Sequence, residues 1–250
     1  STAVEVMPLD LASLGSVRTF ATGVLDATDR IDVLVNNAGL ILDRRTETED
    51  GFETTFGVNH LGHFLLTDLL RDRLEASAPA RVVVVASHAH TFARSGLDFD
   101  DLQSTRKYSS FGAYSRSKLA NILFTNELAQ QLDGTGVTAN CLAPGAATRL
   151  HAVARPHFEQ GVKTGLLTEA DWDSYINTPP PAFVAPIVAW LCTDAASDVT
   201  GEVFHAAGGE VGRWSHYTDA QSMYRGDHRT NPPWAVAELD VLVPKHLLAK

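Results

Sequence analysis

Two cysteines in 250 residues, Cys141 and Cys192, rule out a disulfide framework. Both sit in apolar runs, TANCLAP and VAWLCTD, which suits reduced thiols and makes a cytoplasmic location the expectation. Basic charge is short as well: 20 Lys and Arg stand against 30 Asp and Glu, a formal net charge of −10. That balance argues against nucleic acid or an anionic membrane as the main partner. No apolar run reaches the roughly 18 residues of a membrane span, and the opening STAVEVMPLD lacks a signal-peptide layout. There is no repeat and no low-complexity tract. Against these absences, 44% of the residues are hydrophobic, enough for one large core.

What is present is alternation of short apolar runs with helical patterns. Residues 4–9 read as a strand ending at Asp10. Ser13 is placed to cap a helix to about Thr28, with Leu14, Val17, Phe20, Ala21, Val24 and Leu25 at helical spacing. Residues 31–35 form a second strand that runs into Asn36, Asn37, Ala38 and Gly39. Residues 48–74 carry Phe52, Phe56, Leu65, Leu66, Leu69 and Leu70 as helical anchors. Residues 82–85, four valines, read as a strand buried on both faces. After a polar loop over 88–110 come a helix over 111–132 and a strand over 136–142 that ends at Pro144 and Gly145. Residues 150–178 fit a flap of short helices, 179–193 a helix entered through prolines, and 203–205 a last strand stopped by Gly208 and Gly209. Trp214, Tyr217, Tyr224 and Trp234 make the tail too aromatic for a disordered segment. Strands alternating with long helices predict a doubly wound parallel α/β sheet over 1–212, with 213–250 an appended tail rather than a separate domain.

Within that frame, Tyr114 and Lys118 lie four apart on one face of a predicted helix. A phenol of ordinary pKa near 10 is a poor proton carrier at neutral pH. An ammonium beside it favours the phenolate and makes the tyrosine usable as an acid or base. YxxxK alone is a common accident; its company decides. Asp10, the NNAG at 36–39, Ser87 and the 144–145 pair all fall at carboxyl ends of strands, where sheets of this class bind ligands. Ten histidines invite a metal, yet His60 with His63 and His88 with His90 lack HExxH-like company, and no metal is expected. A hydrolase built on Ser87 fails for want of a GxSxG elbow.

In this order the motifs resemble the short-chain dehydrogenase/reductase family. The marks are NNAG at 36–39, Asn59 in FGVNHLGHF, Ser87 in VVVVASHAH, YSRSK at 114–118, PG at 144–145 and TGEVF at 200–204. The resemblance implies a catalytic tetrad of Asn59, Ser87, Tyr114 and Lys118. Tyr114 would be the acid/base for a carbonyl or alcohol oxygen, with Ser87 a second donor to it. Lys118 would lower the phenol pKa and bind nicotinamide ribose, and Asn59 would hold a water leading to solvent. The implied cofactor is NAD or NADP, held by Asp10, Asn37, Ala38, Gly39, Tyr114, Lys118, Pro144, Gly145 and Thr148. PGAAT is one residue shorter than the family's PGxxxT, which weakens the match at Thr148.

The segment from DFDDLQ to GTGVT, and the long separation of Ser87 from Tyr114, are similar to the retinol-dehydrogenase-like branch, whereas the last third is more like bacterial hydroxysteroid- or hydroxyacyl-type oxidoreductases. The substrate expected is a fairly apolar small carbonyl or alcohol, met by residues 90–96, 146–158 and 166–172. A homodimer or homotetramer is expected through helices 48–74 and 111–132, using Phe64, Leu70, Ile122 and Phe124. The non-enzyme alternative is a catalytically silent cofactor sensor or scaffold on the same fold. The family's TGxxxGxG turn, which meets the diphosphate at a helix N-terminus, has no match here. The resemblance begins at the family's third strand, so the expectation is that two strands and that turn precede it in a longer protein.

Overall fold

A computed structural model describes residues 3–165, 167–215 and 218–248; Leu166 and Tyr217, named above as pocket and tail candidates, lie outside them. Ser13 accepts a hydrogen bond from the Ser16 N–H and opens α1 (Leu14–Ala27), which buries Val17 and Ala21. β1 (Val33–Asn36) follows, then α2 (Thr54–Phe56), a π-turn over Gly57–Leu61 and α3 (Gly62–Ala76). β2 (Ala80–Val85) leads through a 3-10 turn, His88–Phe92, to α4 (Ser110–Gln131) and β3 (Val137–Leu142). The flap is α5 (Arg149–Lys163) and α6 (Glu169–Ile176), and α7 (Ala185–Leu191) has its proline in the first turn. β4 (Val203–Ala207), β5 (Glu210–Ser215), β6 (Thr218–Tyr224) and α8 (Val236–His246) complete the order.

The six strands form one sheet in chain order, β1 to β4 parallel and β4 to β6 antiparallel. Alternation along β2 serves both faces. Val82 and Val84 pack with Leu66, Leu70 and Leu74 of α3 and Leu128 of α4. Val83 packs with Ile187, Trp190 and Leu191 of α7 and Leu239 and Val243 of α8. All three valines are buried, each contributing about 1.5 kcal/mol or more of apolar transfer. Helices on both faces of a parallel-dominated sheet are the doubly wound α/β arrangement.

Four expectations need correction. Residues 4–9 form no strand, and Val4 and Val6 are 86% and 89% exposed. A strand needs a ladder partner, and β1, the edge beside which such a strand could act, pairs only with β2 among the described residues. Of this segment Met7 packs, against Gly23 of α1. The second helix starts at Thr54 rather than 48, because Gly51 turns at φ +83 and buried Glu53 caps the N–H groups of Thr55 and Phe56 (both 2.8 Å). Leu70 and Ile122, expected on an outward face, are each 2% exposed inside the core. Gly208 and Gly209 do not end the sheet but turn it: Ala207 pairs with Glu210 and β5 runs on through residues 212 and 213. The tail packs on its own chain, with Trp234 buried and its indole N–H donating to the Gly209 carbonyl (3.1 Å).

Candidate active site

Asn59 sits in the π-turn between α2 and α3, fully buried. Such turns interrupt the regular ladder and free a side chain to aim elsewhere. Its Nδ2 donates to the Leu40 carbonyl (2.9 Å) and to Ser117 Oγ (3.0 Å), while Oδ1 accepts from the Leu40 N–H (2.8 Å). Its backbone carbonyl accepts from Asn121 Nδ2 (3.0 Å) and His63 Nδ1 (3.2 Å). Both donors of the amide and both carbonyl lone pairs are therefore engaged. Asn59 acts as a clamp tying the loop after β1 to α4. The expected water-holding role would have to use what this clamp leaves over.

α4 carries Tyr114 and Lys118 on the same buried stripe, 8% and 3% exposed. Lys118 Nζ donates to the Val85 carbonyl at the end of β2 (3.0 Å) and stands 5.6 Å from the Tyr114 ring centroid. Burial pulls the ammonium down to about 8. Burial also pushes the Tyr114 phenol above its usual range, and the Ser87 hydroxyl beside it offsets part of this rise. The expectation is a phenol lowered by Lys118; here burial sets the direction and the phenol is raised. Ser87, just past β2, accepts the Ala89 N–H at Oγ (3.2 Å). The structure thus brings Asn59, Ser87, Tyr114 and Lys118 together by direct or one-residue links at the carboxyl end of β2.

The proposed cofactor residues are gathered less tightly. Asn37, Ala38 and Gly39 are exposed at the end of β1. A Cβ on Gly39 would lie 3.3 Å from both Asn59 Oδ1 and Lys118 Nζ, so glycine is what lets this backbone pass beside the ammonium. Asp10 is exposed, its Oδ1 accepting the Ala12 N–H (2.8 Å); the following Leu11 packs its carbonyl where a Cβ on Gly62 would stand. Gly145 is tied by its N–H to the Ala206 carbonyl (3.0 Å), with Pro144 half-buried beside it. Thr148 is exposed and caps α5 by accepting from the His151 N–H (3.4 Å). No helix among the described residues opens on a turn of several glycines, so a diphosphate finds no such cradle in them.

Sequence reasoning missed Asn121 and Ser117. Asn121 is 1% exposed, three residues past Lys118, and also approaches the Val85 carbonyl (3.4 Å) with its amide, while its Oδ1 faces His60 Nδ1 (3.1 Å). A polar residue on an otherwise buried helical stripe was the signal that could have found it. Among the described residues no group of three His, Cys, Asp or Glu is placed to hold a metal. His63 is buried and held near 4 by desolvation. Of the substrate-side segments, α5 and α6 are stapled by Tyr175, which stacks on His151 (4.0 Å) and Phe158 (4.3 Å). No helix among these residues is long and apolar enough to cross a membrane.

Ser87, Tyr114 and Lys118 thus converge past β2 of a parallel-dominated α/β sheet. The chain belongs to the short-chain dehydrogenase/reductase family: residues 1–210 match the family model described as enoyl-(acyl carrier protein) reductase. It is 54% identical over 145 residues to retinol dehydrogenase 13 of Homo sapiens (58% of this chain, 43% of that protein). It is 56% identical over 140 residues to retinol dehydrogenase 14 of Mus musculus (56% and 41%). The chain thus spans less than half the length of these relatives. Among solved structures it is similar to the 3-alpha-hydroxysteroid dehydrogenase from Pseudomonas sp. B-0831 complexed with NADH, at 25% identity, TM-score 0.63 and 80% of each chain. It is also similar to the Pseudomonas aeruginosa RhlG/NADP active-site complex, at 27% identity, TM-score 0.58, over 80% of this chain and 73% of that one.

Proposed function

We propose that the protein is an NAD(P)-dependent oxidoreductase that interconverts an alcohol and a ketone or aldehyde on a fairly apolar small molecule. The observation that carries this reading is the buried Tyr114 phenol with the Ser87 hydroxyl beside it and Lys118 one helical turn away, 5.6 Å from the ring. Tyr114 gives a proton to the substrate oxygen, or takes one from it, and Ser87 hydrogen-bonds the same oxygen. Lys118 is held by the Val85 carbonyl, and its ammonium favours the phenolate when Tyr114 has given up its proton. Bound NAD or NADP would supply or accept the hydride at the carbon. Lys118 would hold its nicotinamide ribose, Asn37, Ala38 and Gly39 its adenine-side ribose, Pro144, Gly145 and Thr148 its carboxamide, and Asp10 its adenine.

Similarity to retinol dehydrogenases puts long apolar alcohols and aldehydes first on a substrate panel, with ring ketones second. The test is NAD(P)H oxidation, followed by absorbance, over that panel. Turnover of an apolar aldehyde or ketone supports the reading. Cofactor binding without turnover of any substrate would favour the silent sensor or scaffold instead. A homodimer or homotetramer in the cytoplasm goes with this proposal. Phe64, 47% exposed, meets Phe124 in a tilted ring contact across α3 and α4 (5.3 Å) and offers an apolar patch for a two-fold contact. Light scattering that gives a monomer at micromolar concentration would contradict it.

A further inference from the structure

The position of Ser87 is fixed from a direction that the family match does not cover. Its carbonyl is doubly engaged: the His90 N–H donates to it (3.1 Å) and so does His90 Nδ1 (2.8 Å). A carbonyl can only accept, so Nδ1 carries the proton and the neutral ring leaves Nε2 bare. His90 is 3% exposed, and its Nε2 has no hydrogen-bond partner among the described residues. Turning the ring over would take Nδ1 away from the Ser87 carbonyl.

What holds the ring in place is Trp214 of β5. The two rings meet edge to face, 4.9 Å apart at 78°. Two further histidines converge on the same indole, His88 at 5.5 Å and His205 at 5.9 Å. Trp214 is itself positioned by pairing with Val203 on β4, whose side chain belongs with Ala86, Ile122 and Cys141 to one small apolar cluster. A continuous packed path therefore runs from the hairpin, through His90, to the carbonyl of Ser87. β5 and β6 lie outside residues 1–210, the stretch that matches the family model, apart from the first residue of β5.

We propose that His90 and Trp214 are positioning residues for Ser87, so that the C-terminal hairpin is a working part of the active site. His90 locks the Ser87 carbonyl; the turn then presents the Ala89 N–H to Ser87 Oγ (3.2 Å). With one lone pair of Oγ occupied, the hydroxyl hydrogen is left for the Tyr114 phenol or, in turnover, for the substrate oxygen. Aromatic pairs of this geometry are directional, so Trp214 supplies an orientation that an aliphatic side chain of similar bulk would not.

The inference rests on the proposed oxidoreductase reading for its kinetic arm and stands apart from it in its spectroscopic arm. His90→Leu removes the ring donor, whereas His90→Asn keeps an N–H near the Nδ1 position. In the full chain, His90→Leu and Trp214→Leu should lower kcat about 100-fold with KM changed little, because the misplaced group meets the reacting oxygen rather than the rest of the substrate. His90→Asn should recover most of that loss. Wild-type kcat in His90→Leu, or no recovery in His90→Asn while both variants stay folded, would overturn the proposal. In parallel, 15N NMR of histidine-labelled protein should show His90 protonated at Nδ1. Trp214→Leu should shift the His90 ring and the Ser87 amide. An Nε2-protonated His90, or a Ser87 amide indifferent to Trp214→Leu, would overturn the brace even if no substrate is turned over. A chain without turnover that keeps the Nδ1 tautomer and the coupled shifts would fail the oxidoreductase reading alone.

Discussion

The two ends of the site are built differently. At the Tyr114 end Asn59, Tyr114 and Lys118 are buried and Ser87 is half-buried, and protein bonds hold them: Asn59 by five hydrogen bonds, Lys118 to Val85, Ser87 to Ala89 and, through its carbonyl, to His90. At the other end Asp10, Asn37, Ala38, Gly39 and Thr148 are exposed, and the side-chain bonds of Asp10 and Thr148 serve local caps and turns. The buried end is assembled before any ligand arrives; the exposed end offers backbone and carboxylate to whatever binds. Preorganised donors cost no reorganisation at the moment of reaction, which fits the acid/base role proposed for the first end.

The largest break in that contrast should come from Asn59→Leu. It leaves the Leu40 N–H, Ser117 Oγ and the loop carbonyl without their partner in a fully buried place. At about 1–3 kcal/mol for each stranded group, a loss of several kcal/mol in chemical denaturation is the expected outcome. By contrast Asp10→Ala or Thr148→Ala removes only an exposed turn or cap and should cost about 1 kcal/mol or less. If Asn59→Leu were as mild as those two, the two ends would not differ as argued.

A second, smaller effect is written in the histidines. His63 is held near 4 by burial, and burial lowers His60, His88 and His90 as well. Between pH 6.5 and 4 the unfolded chain therefore binds more protons at His63 than the folded one. Stability must fall as pH falls through that window. Lys118 acts with the same sign higher up: with its ammonium lowered to about 8, stability should rise with pH from about 8 toward 10.5. Melting temperature against pH, in wild type and in His63→Leu, measures the first window. A slope unchanged by that substitution would count against a buried neutral His63.

Smaller still is Gly39→Ala, which touches the seam between the ends. Its Cβ would crowd Lys118 Nζ and Asn59 Oδ1 at 3.3 Å, and the flexible ammonium yields more easily than the clamped amide. Activity should drop about tenfold through a displaced Lys118, with the melting temperature close to wild type. A large stability loss with unchanged activity would place the strain on Asn59 instead.

What was legible in the sequence follows the same division. Buried parallel strands read as continuous apolar runs, so residues 82–85 and 136–142 could be placed, and Ser13 announced α1. Residues 4–9 have that composition too, but apolar content does not supply a ladder partner, and the segment lies exposed. The hairpin is missed although its signal is present: Gly208 and Gly209, with Gly208 at φ +58, are a two-residue connection between paired strands and not a stop. Tyr114, Lys118 and Ser87 were visible as motifs. Asn121 and His90 were not, since what they do depends on which carbonyl lies within 3 Å or so, and that is set by packing between α4, β2 and β5.

The central claim is that Tyr114 is the acid/base of a hydride-transfer enzyme. Its most direct test is the Tyr114→Phe variant of the active protein, with kcat measured on the best carbonyl substrate and cofactor affinity by fluorescence titration. The account predicts a loss in kcat of about 10²–10⁴-fold or more with cofactor affinity nearly unchanged, since the ring and its packing are kept. A phenylalanine variant that turns over at close to the wild-type kcat would contradict it.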